Sequence, residues 1–210
     1  NKDSRERDPE RMSPRVAWRA IQAGIPQDAI ISSDIGNNCA IGNAYPTFEK
    51  GRKYLAPGLF GPCGYCFPCI LGAKIGCPNT PVIGFAGDGA CGISMSEMTS
   101  CNRKEWPNIT MVIFRNYQWG AEKRNSILWY DNNFVGTELD PELIYAKIAE
   151  ACGSKGVEVK TPSELTEAIK TSCEEQQNGI TTFIEVILNQ ELGEPFRRDA
   201  MKKPVHVAGI

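Results

Sequence analysis

Apolar positions along the chain follow two periods. Nearly unbroken apolar runs lie at 81–86 and 109–114, with a short buried stretch at 29–33, a short strand-like stretch at 157–159 and a strand-rich stretch at 181–188. Runs of this length, bounded by turn residues, predict buried β-strands. Between them the spacing predicts helices over 13–24, 64–76, 92–101, 141–152 and 162–173. The first has a serine cap at Ser13, a proline at its first position, and a stripe of Val16, Ala17, Ala20 and Ile21. Residues 46–62, rich in Pro and Gly, read as irregular. Residues 194–210 carry little period.

Strands alternating with helices of this length predict an α/β fold: a three-layer sandwich around a mostly parallel sheet. The expected organisation is a charged lead-in over 1–12, one domain over 13–190, and a C-terminal tail over 191–210. Ligands of such sheets sit beyond the carboxyl ends of the strands. Asp34, Asp88 and Asn116 each fall just past one of those ends.

Length and charge narrow the function classes. The 210 residues suffice for one substantial core, and a net charge of -2 offers nothing to a polyanion. The basic pairs Arg197-Arg198 and Lys202-Lys203 read as solvated charges, so no nucleic-acid partner is expected. No apolar run approaches the roughly 20 residues that span a bilayer, and the first twelve residues are too charged for a signal peptide. A cytoplasmic protein without a membrane partner is expected. A first residue other than Met suggests a processed chain or a piece of a longer one.

Nine cysteines, an odd number without a secretory signal, argue against a disulfide scaffold. Cys63-x2-Cys66-x2-Cys69 followed by Cys77-Pro78 superficially resembles an iron–sulfur run. The ferredoxin spacing has three residues before its last cysteine, and this chain has seven. Packing within an apolar helix is the preferred reading.

The chemistry concentrates in GDGACGISMSEMTSCNRKEWPNITMVIFRNYQWG, from Gly87 to Gly120. A carboxylate between glycines after a strand can approach a hard cation, while backbone donors face phosphate oxygens. Asn116 offers a neutral oxygen on the next loop, and carboxylate plus carbonyl oxygens suit Mg2+. Gly-Asp-Gly alone is as well explained by a surface turn. The 26 residues between Gly89 and Asn116 make coincidence a poor explanation.

With this spacing the chain resembles the pyrophosphate-binding domain of thiamine-diphosphate enzymes, whose signature is Gly-Asp-Gly, about 25 to 30 residues, then Asn. The resemblance implies that Asp88 and Asn116 bind Mg2+ through side chains and that Gln118 adds its backbone oxygen. It places Gly87, Gly89, Ala90 and Cys91 against the diphosphate, with Trp119 and Gly120 on the following loop. Relatives often carry a second Asn where this chain has Tyr117. LFGPCGYCFPCILGAKIG resembles the glycine-rich stretch preceding the signature. It puts Cys63 and Gly64 beside the bent cofactor, and Asp34-Ile35-Gly36-Asn37 resembles the first strand-end loop.

A narrower resemblance rests on FRNYQWGAEKRN, GPCGYCFP and the ending LGEPFRRDAMKKPVHVAGI. These are similar to the C-terminal part of the sulfoacetaldehyde acetyltransferase family, which converts sulfoacetaldehyde and phosphate to acetyl phosphate and sulfite. It implies an anionic substrate met by Arg197, Arg198, Lys202 and Lys203, with Tyr117, Trp119 and Lys123 shaping the substrate side. The activating glutamate of such enzymes belongs to a separate pyrimidine-binding domain, so no catalytic residue is assigned and Glu97 is read as structural. That domain, from a missing N-terminal part or a separate chain, is the expected partner within a homo-oligomer. A 2-oxo acid decarboxylase, an acetolactate-synthase-like enzyme and a non-catalytic cofactor-binding module remain alternatives.

Overall fold

Strands buried on both faces account for the unbroken apolar runs. The computed structural model describes residues 10–48, 53–101 and 108–193. Its centre is a six-stranded, fully parallel sheet. The strands are β1 (Ile30–Ser33), β2 (Tyr54–Leu55), β3 (Val82–Gly87), β4 (Thr110–Arg115), β5 (Lys155–Val159) and β6 (Thr182–Ile187), in the order β2-β1-β3-β4-β6-β5. Central β1, β4 and β6 are buried at every position, and β3 at all but its last, whereas the edge strands β2 and β5 are more open.

Seven α-helices are described, beside short 3-10 turns at Met95–Ser100 and Gln176–Asn178: α1 (Pro14–Gly24), α2 (Asn37–Gly42), α3 (Cys66–Gly76), α4 (Asp88–Ile93), α5 (Gly120–Trp129), α6 (Tyr145–Ala151) and α7 (Pro162–Glu175). The Ser13 hydroxyl accepts from the Val16 N–H, capping α1 as its sequence predicts. Thr161 and Glu164 form a reciprocal capping box at α7.

The two faces of the sheet bury separate cores. On one, α1 and α7 bring Trp18, Ile21, Leu165 and Ile169 onto Phe85, Phe114 and Ile184. On the other, α3 and α6 bring Phe67, Ile70 and Ala149 onto Met111, Ile113 and Phe183. The approach of α3 is close: a Cβ at Gly84 of β3 would sit 2.8 Å from Cys66 Sγ and from the Ile70 side chain. The three-layer sandwich is therefore as expected.

Several elements differ from the sequence reading. The helix expected over 92–101 begins earlier, as α4, and gives way at Ser94 to a 3-10 turn over Met95–Ser100. The chain turns into α4 directly from β3, so Asp88 is already helical. Residues 46–62 include β2, and α2 and α5 were not foreseen. The helix expected over 141–152 begins only at Tyr145. Met12, assigned to the lead-in, is buried, bridges to Leu188 and accepts from the Asn189 N–H.

All nine cysteines are free thiols. Among the described residues no three His, Cys, Asp or Glu side chains gather as a metal cluster. Cys66 lies in the core with its thiol donating to the Ser32 carbonyl, whereas Cys63 and Cys77 are exposed. No described helix is long and apolar enough to cross a membrane.

Candidate functional site

From β1 the chain order proceeds outward to β2 on one side, and the later strands lie on the other. This reversal opens a crevice between the carboxyl ends of β1 and β3. A cavity of about 300 Å³ occupies it. Its wall comes from the β1–α2 loop (Ile35 to Asn38), from Gly87 to Ala90 after β3, and from Asn116 and Gln118 after β4. Trp119 through Glu122, Gly61 and Cys63 close the remaining sides. The first residues of α2, α4 and α5 all border the cavity, so the amino-terminal ends of three helices lie around one volume.

Asp88 is almost fully buried at the base. Its Oδ2 accepts from Arg115 Nη1 (3.1 Å), the Asn116 N–H (3.1 Å) and the Tyr117 N–H (2.7 Å). Among the described residues its Oδ1 accepts only the Gly89 N–H, at 2.9 Å. Burial pushes the carboxyl up to about 6, while Arg115 and the amides of Tyr117 and Gly89 hold it down. At neutral pH it is therefore mainly ionised.

The loop after β4 supplies oxygens around it. Among the described residues neither the Asn116 side-chain amide nor the Gln118 carbonyl makes a hydrogen bond. Gln118 Oε1 is buried without a partner, although its Nε2 donates to the Gln190 carbonyl at 3.1 Å. One carboxylate oxygen with spare capacity and nearby neutral amide and carbonyl oxygens form a hard donor set. Trp119 packs so closely on Gly89 that a Cβ there would lie 2.8 Å from its ring.

Residues 34–186 match the family described as "Thiamine pyrophosphate enzyme, C-terminal TPP binding domain". The chain belongs to this family. It is 75% identical over all 210 residues to a probable sulfoacetaldehyde acetyltransferase of Rhizobium meliloti, covering 36% of that protein. It is 68% identical over its whole length to the sulfoacetaldehyde acetyltransferase of Roseovarius nubinhibens, covering 35% of it. The chain thus spans about a third of the length of these curated relatives. Among solved structures, a thiamine diphosphate-dependent 4-hydroxybenzoylformate decarboxylase from Rhodococcus jostii superposes with a TM-score of 0.76 at 24% identity. That match covers 85% of this chain and 33% of the decarboxylase, and it shows a shared fold.

Within this thiamine pyrophosphate-binding domain, the residues singled out from sequence divide into three groups. Gly36, Cys63, Gly87, Asp88, Gly89, Ala90, Asn116, Gln118, Trp119 and Gly120 line the cavity. Asp34, Gly64, Cys91, Tyr117 and Lys123 stand outside its lining. Asp34 accepts from the N–H groups of Ile35, Gly64 and Cys66, at 2.8 to 3.1 Å, fastening the GPCGYC loop to the end of β1. Those three amides oppose the upward push of burial on its carboxyl. Cys91 is buried in the core, where burial holds its thiol far above the ordinary range. The Tyr117 ring lies between the guanidinium groups of Arg11 and Arg115. Lys123 pairs with Glu138 and donates to Gln190 Oε1. Arg197, Arg198, Lys202 and Lys203 lie outside the described residues.

Glu97 sits in the 3-10 turn, away from the cavity lining. Sequence reasoning missed Asn38, Gly61, Ala121 and Glu122 in the wall, and Arg115 beneath it. Arg115 had one available signal: a charged residue ending an otherwise apolar strand, ITMVIFR.

Proposed function

We propose that this chain is the diphosphate- and Mg2+-holding part of a thiamine-diphosphate-dependent sulfoacetaldehyde acetyltransferase, which converts sulfoacetaldehyde and phosphate to acetyl phosphate and sulfite. The observation that carries this is 68–75% identity, over this chain's whole length and about a third of theirs, to relatives bearing that name, joined to a cavity with the expected donor set. Asp88, Asn116 and the Gln118 carbonyl would hold Mg2+. Among the described residues the Asn116 side chain and the Gln118 backbone carbonyl make no hydrogen bond and Asp88 Oδ1 accepts one, which supports that fit. Backbone N–H groups from Gly89 onward and at the starts of α2 and α5 would meet the diphosphate.

Bound thiamine diphosphate supplies a stabilised carbanion at its thiazolium carbon. The residues of this chain hold and orient. Trp119 and Cys63 wall the cavity, and Asp34 keeps the loop bearing Cys63 in register with β1. In this reading Arg197, Arg198, Lys202 and Lys203 neutralise the sulfonate and phosphate, and Tyr117 and Lys123 act indirectly through the loop they brace. A pyrimidine-binding domain would contribute the activating glutamate, within a homo-oligomer in the cytoplasm. The greater length of the relatives supports the need for such a domain.

The test is calorimetric titration of thiamine diphosphate into the chain with and without Mg2+, beside Asp88→Ala. Mg2+-dependent heat that disappears in the variant supports the half-site; equal heat in both removes Asp88 from it. With the complementary domain present, sulfite and acetyl phosphate release from sulfoacetaldehyde supports the activity. Carbon dioxide release from a 2-oxo acid would replace it with a decarboxylase or acetolactate-synthase-like reaction.

A further inference from the structure

Arg115 ends a strand that is apolar from Met111 to Phe114, and it is 1% exposed. An arginine so placed is tolerated only if its charge is matched, because a buried unpaired charge is strongly destabilising. Its partners come from four separate parts of the chain. Nη1 donates to Asp88 Oδ2 at 3.1 Å, and Nη2 to the carbonyls of Asp140 and Leu143. Nε makes no hydrogen bond among the described residues but lies 3.6 Å from Glu185 Oε1 on β6, an ion pair. The guanidinium lies 4.3 Å from the Tyr117 ring centroid and 5.4 Å from that of Tyr145.

These partners are themselves fixed. Glu185 Oε2 accepts the Ala146 N–H at 2.9 Å, tying β6 to α6, and the Tyr145 hydroxyl donates to the Asp88 carbonyl at 2.7 Å. Together these contacts hold the guanidinium against Asp88 Oδ2. Asp88 Oδ2 is consequently saturated on the protein side, leaving Oδ1, with its single Gly89 donor, as the oxygen able to take another partner.

We infer that Arg115, held by Glu185, is a positioning residue that turns the Asp88 carboxylate so that Oδ1 is presented to Mg2+. The inference rests on the proposed Mg2+–diphosphate reading of the cavity. Arg115 is outside the cavity lining; it acts through Asp88 and through the Tyr117 backbone that shares Oδ2. A merely structural arginine could be replaced, together with its carboxylate, by neutral side chains of similar size without altering the Mg2+ requirement.

The experiment uses the full chain and three forms: wild type, R115K and the paired neutral variant R115M/E185Q. Pairing the changes avoids stranding Glu185 as an unpaired buried charge. Thiamine diphosphate binding is followed by calorimetry and by intrinsic tryptophan fluorescence while Mg2+ is varied. In R115M/E185Q the Mg2+ concentration for half-saturation should rise about 10–100-fold, the usual cost of losing support behind a metal ligand. Thiamine diphosphate affinity at saturating Mg2+ should change by less than about threefold, since the ligands themselves remain. R115K, which keeps the charge but loses the planar fork, should fall between the two.

A folded R115M/E185Q with wild-type Mg2+ half-saturation overturns the positioning role while leaving the half-site reading intact. Should that variant fail to melt cooperatively, R115K decides alone, and an unchanged Mg2+ requirement there has the same meaning. Wild-type chain that binds thiamine diphosphate equally with and without Mg2+ overturns the Mg2+ reading, and the inference falls with it.

Discussion

The Trp119 ring occupies the space that a side chain at residue 89 would need. A Cβ on Gly89 would lie 2.8 Å from its nearest ring carbons, a separation that real Cβ atoms do not show. Both residues line the cavity, so the contact sets the spacing between the loops after β3 and β4. Gly89→Ala should displace Trp119 and weaken Mg2+-dependent thiamine diphosphate binding by at least about tenfold, at an overpacking cost of about 1–3 kcal/mol. Calorimetry and thermal melts check both effects. G89A/W119L, which returns the lost space, should recover most of the stability; a double variant as unstable as G89A would remove the packing explanation.

The pH dependence of stability should carry the mark of Asp88. Burial raises its carboxyl to about 6 in the folded chain, against 3.8 for the ordinary group. Between those values the folded state binds more protons than the unfolded state, so stability falls as pH rises from about 4 to about 6 and levels off above it. The full effect is about 3 kcal/mol, because each pH unit across that window is worth about 1.4 kcal/mol. Asp88→Asn cannot titrate there. The stability difference, wild type minus D88N, should therefore decline across that window; a difference independent of pH would contradict the raised carboxyl. Glu185 is pushed in the same direction by burial and shares Arg115 with Asp88, so the comparison is made in an E185Q background, where Glu185 cannot titrate.

Tyr117 adopts φ 61°, a left-handed conformation uncommon for a bulky residue. Asparagine, which the resembled thiamine-diphosphate enzymes often have here, tolerates it better. Two guanidinium groups compensate in this chain: Arg11 lies 4.8 Å and Arg115 4.3 Å from the ring centroid. Tyr117→Asn should lose the ring contacts but relieve backbone strain, remaining within about 1 kcal/mol of wild type. Tyr117→Val loses the ring and keeps the strain, and should fall by about 2 kcal/mol or more. Chemical denaturation ranks the three forms, and a valine variant as stable as the asparagine variant would refute the strain argument.

Legibility in the sequence followed burial and chain distance. β1, β3, β4 and β6 were readable because a strand covered on both faces must be apolar nearly throughout. α1 and α7 announced themselves through caps and stripes. α5 did not: GAEKRNSILW has no continuous apolar face, and only Gly120 and Lys123 within it are buried. α2 spans six residues and β2 two, too few for a period to register. At the cavity, Asp88 and Asn116 stood out because polar residues follow apolar strands directly. The work of Asp34 was hidden, since its partners lie about 30 residues away in a loop whose path the sequence does not reveal. Arg115 was harder still, because its partners at 88, 140, 143 and 185 converge only when the sheet has formed.

The capping box of α7 offers a way to separate stability from binding. The Thr161 hydroxyl accepts the Glu164 N–H at 3.3 Å, and Glu164 Oε2 accepts the N–H groups of Lys160 and Thr161 at 2.9 and 3.1 Å. None of these residues lines the cavity, and α7 packs beside α1 on one face of the sheet rather than at its carboxyl rim. Thr161→Ala should cost about 1 kcal/mol, the usual worth of a lost N-cap. It should leave the Mg2+ requirement and thiamine diphosphate affinity of the folded chain unchanged. Denaturation midpoints and calorimetry on the same preparation check the pair of outcomes. Weakened binding in a fully folded T161A would mean that α7 is coupled to the cavity through the sheet, and that losses at Gly89 or Asp88 could not be ascribed to local geometry alone.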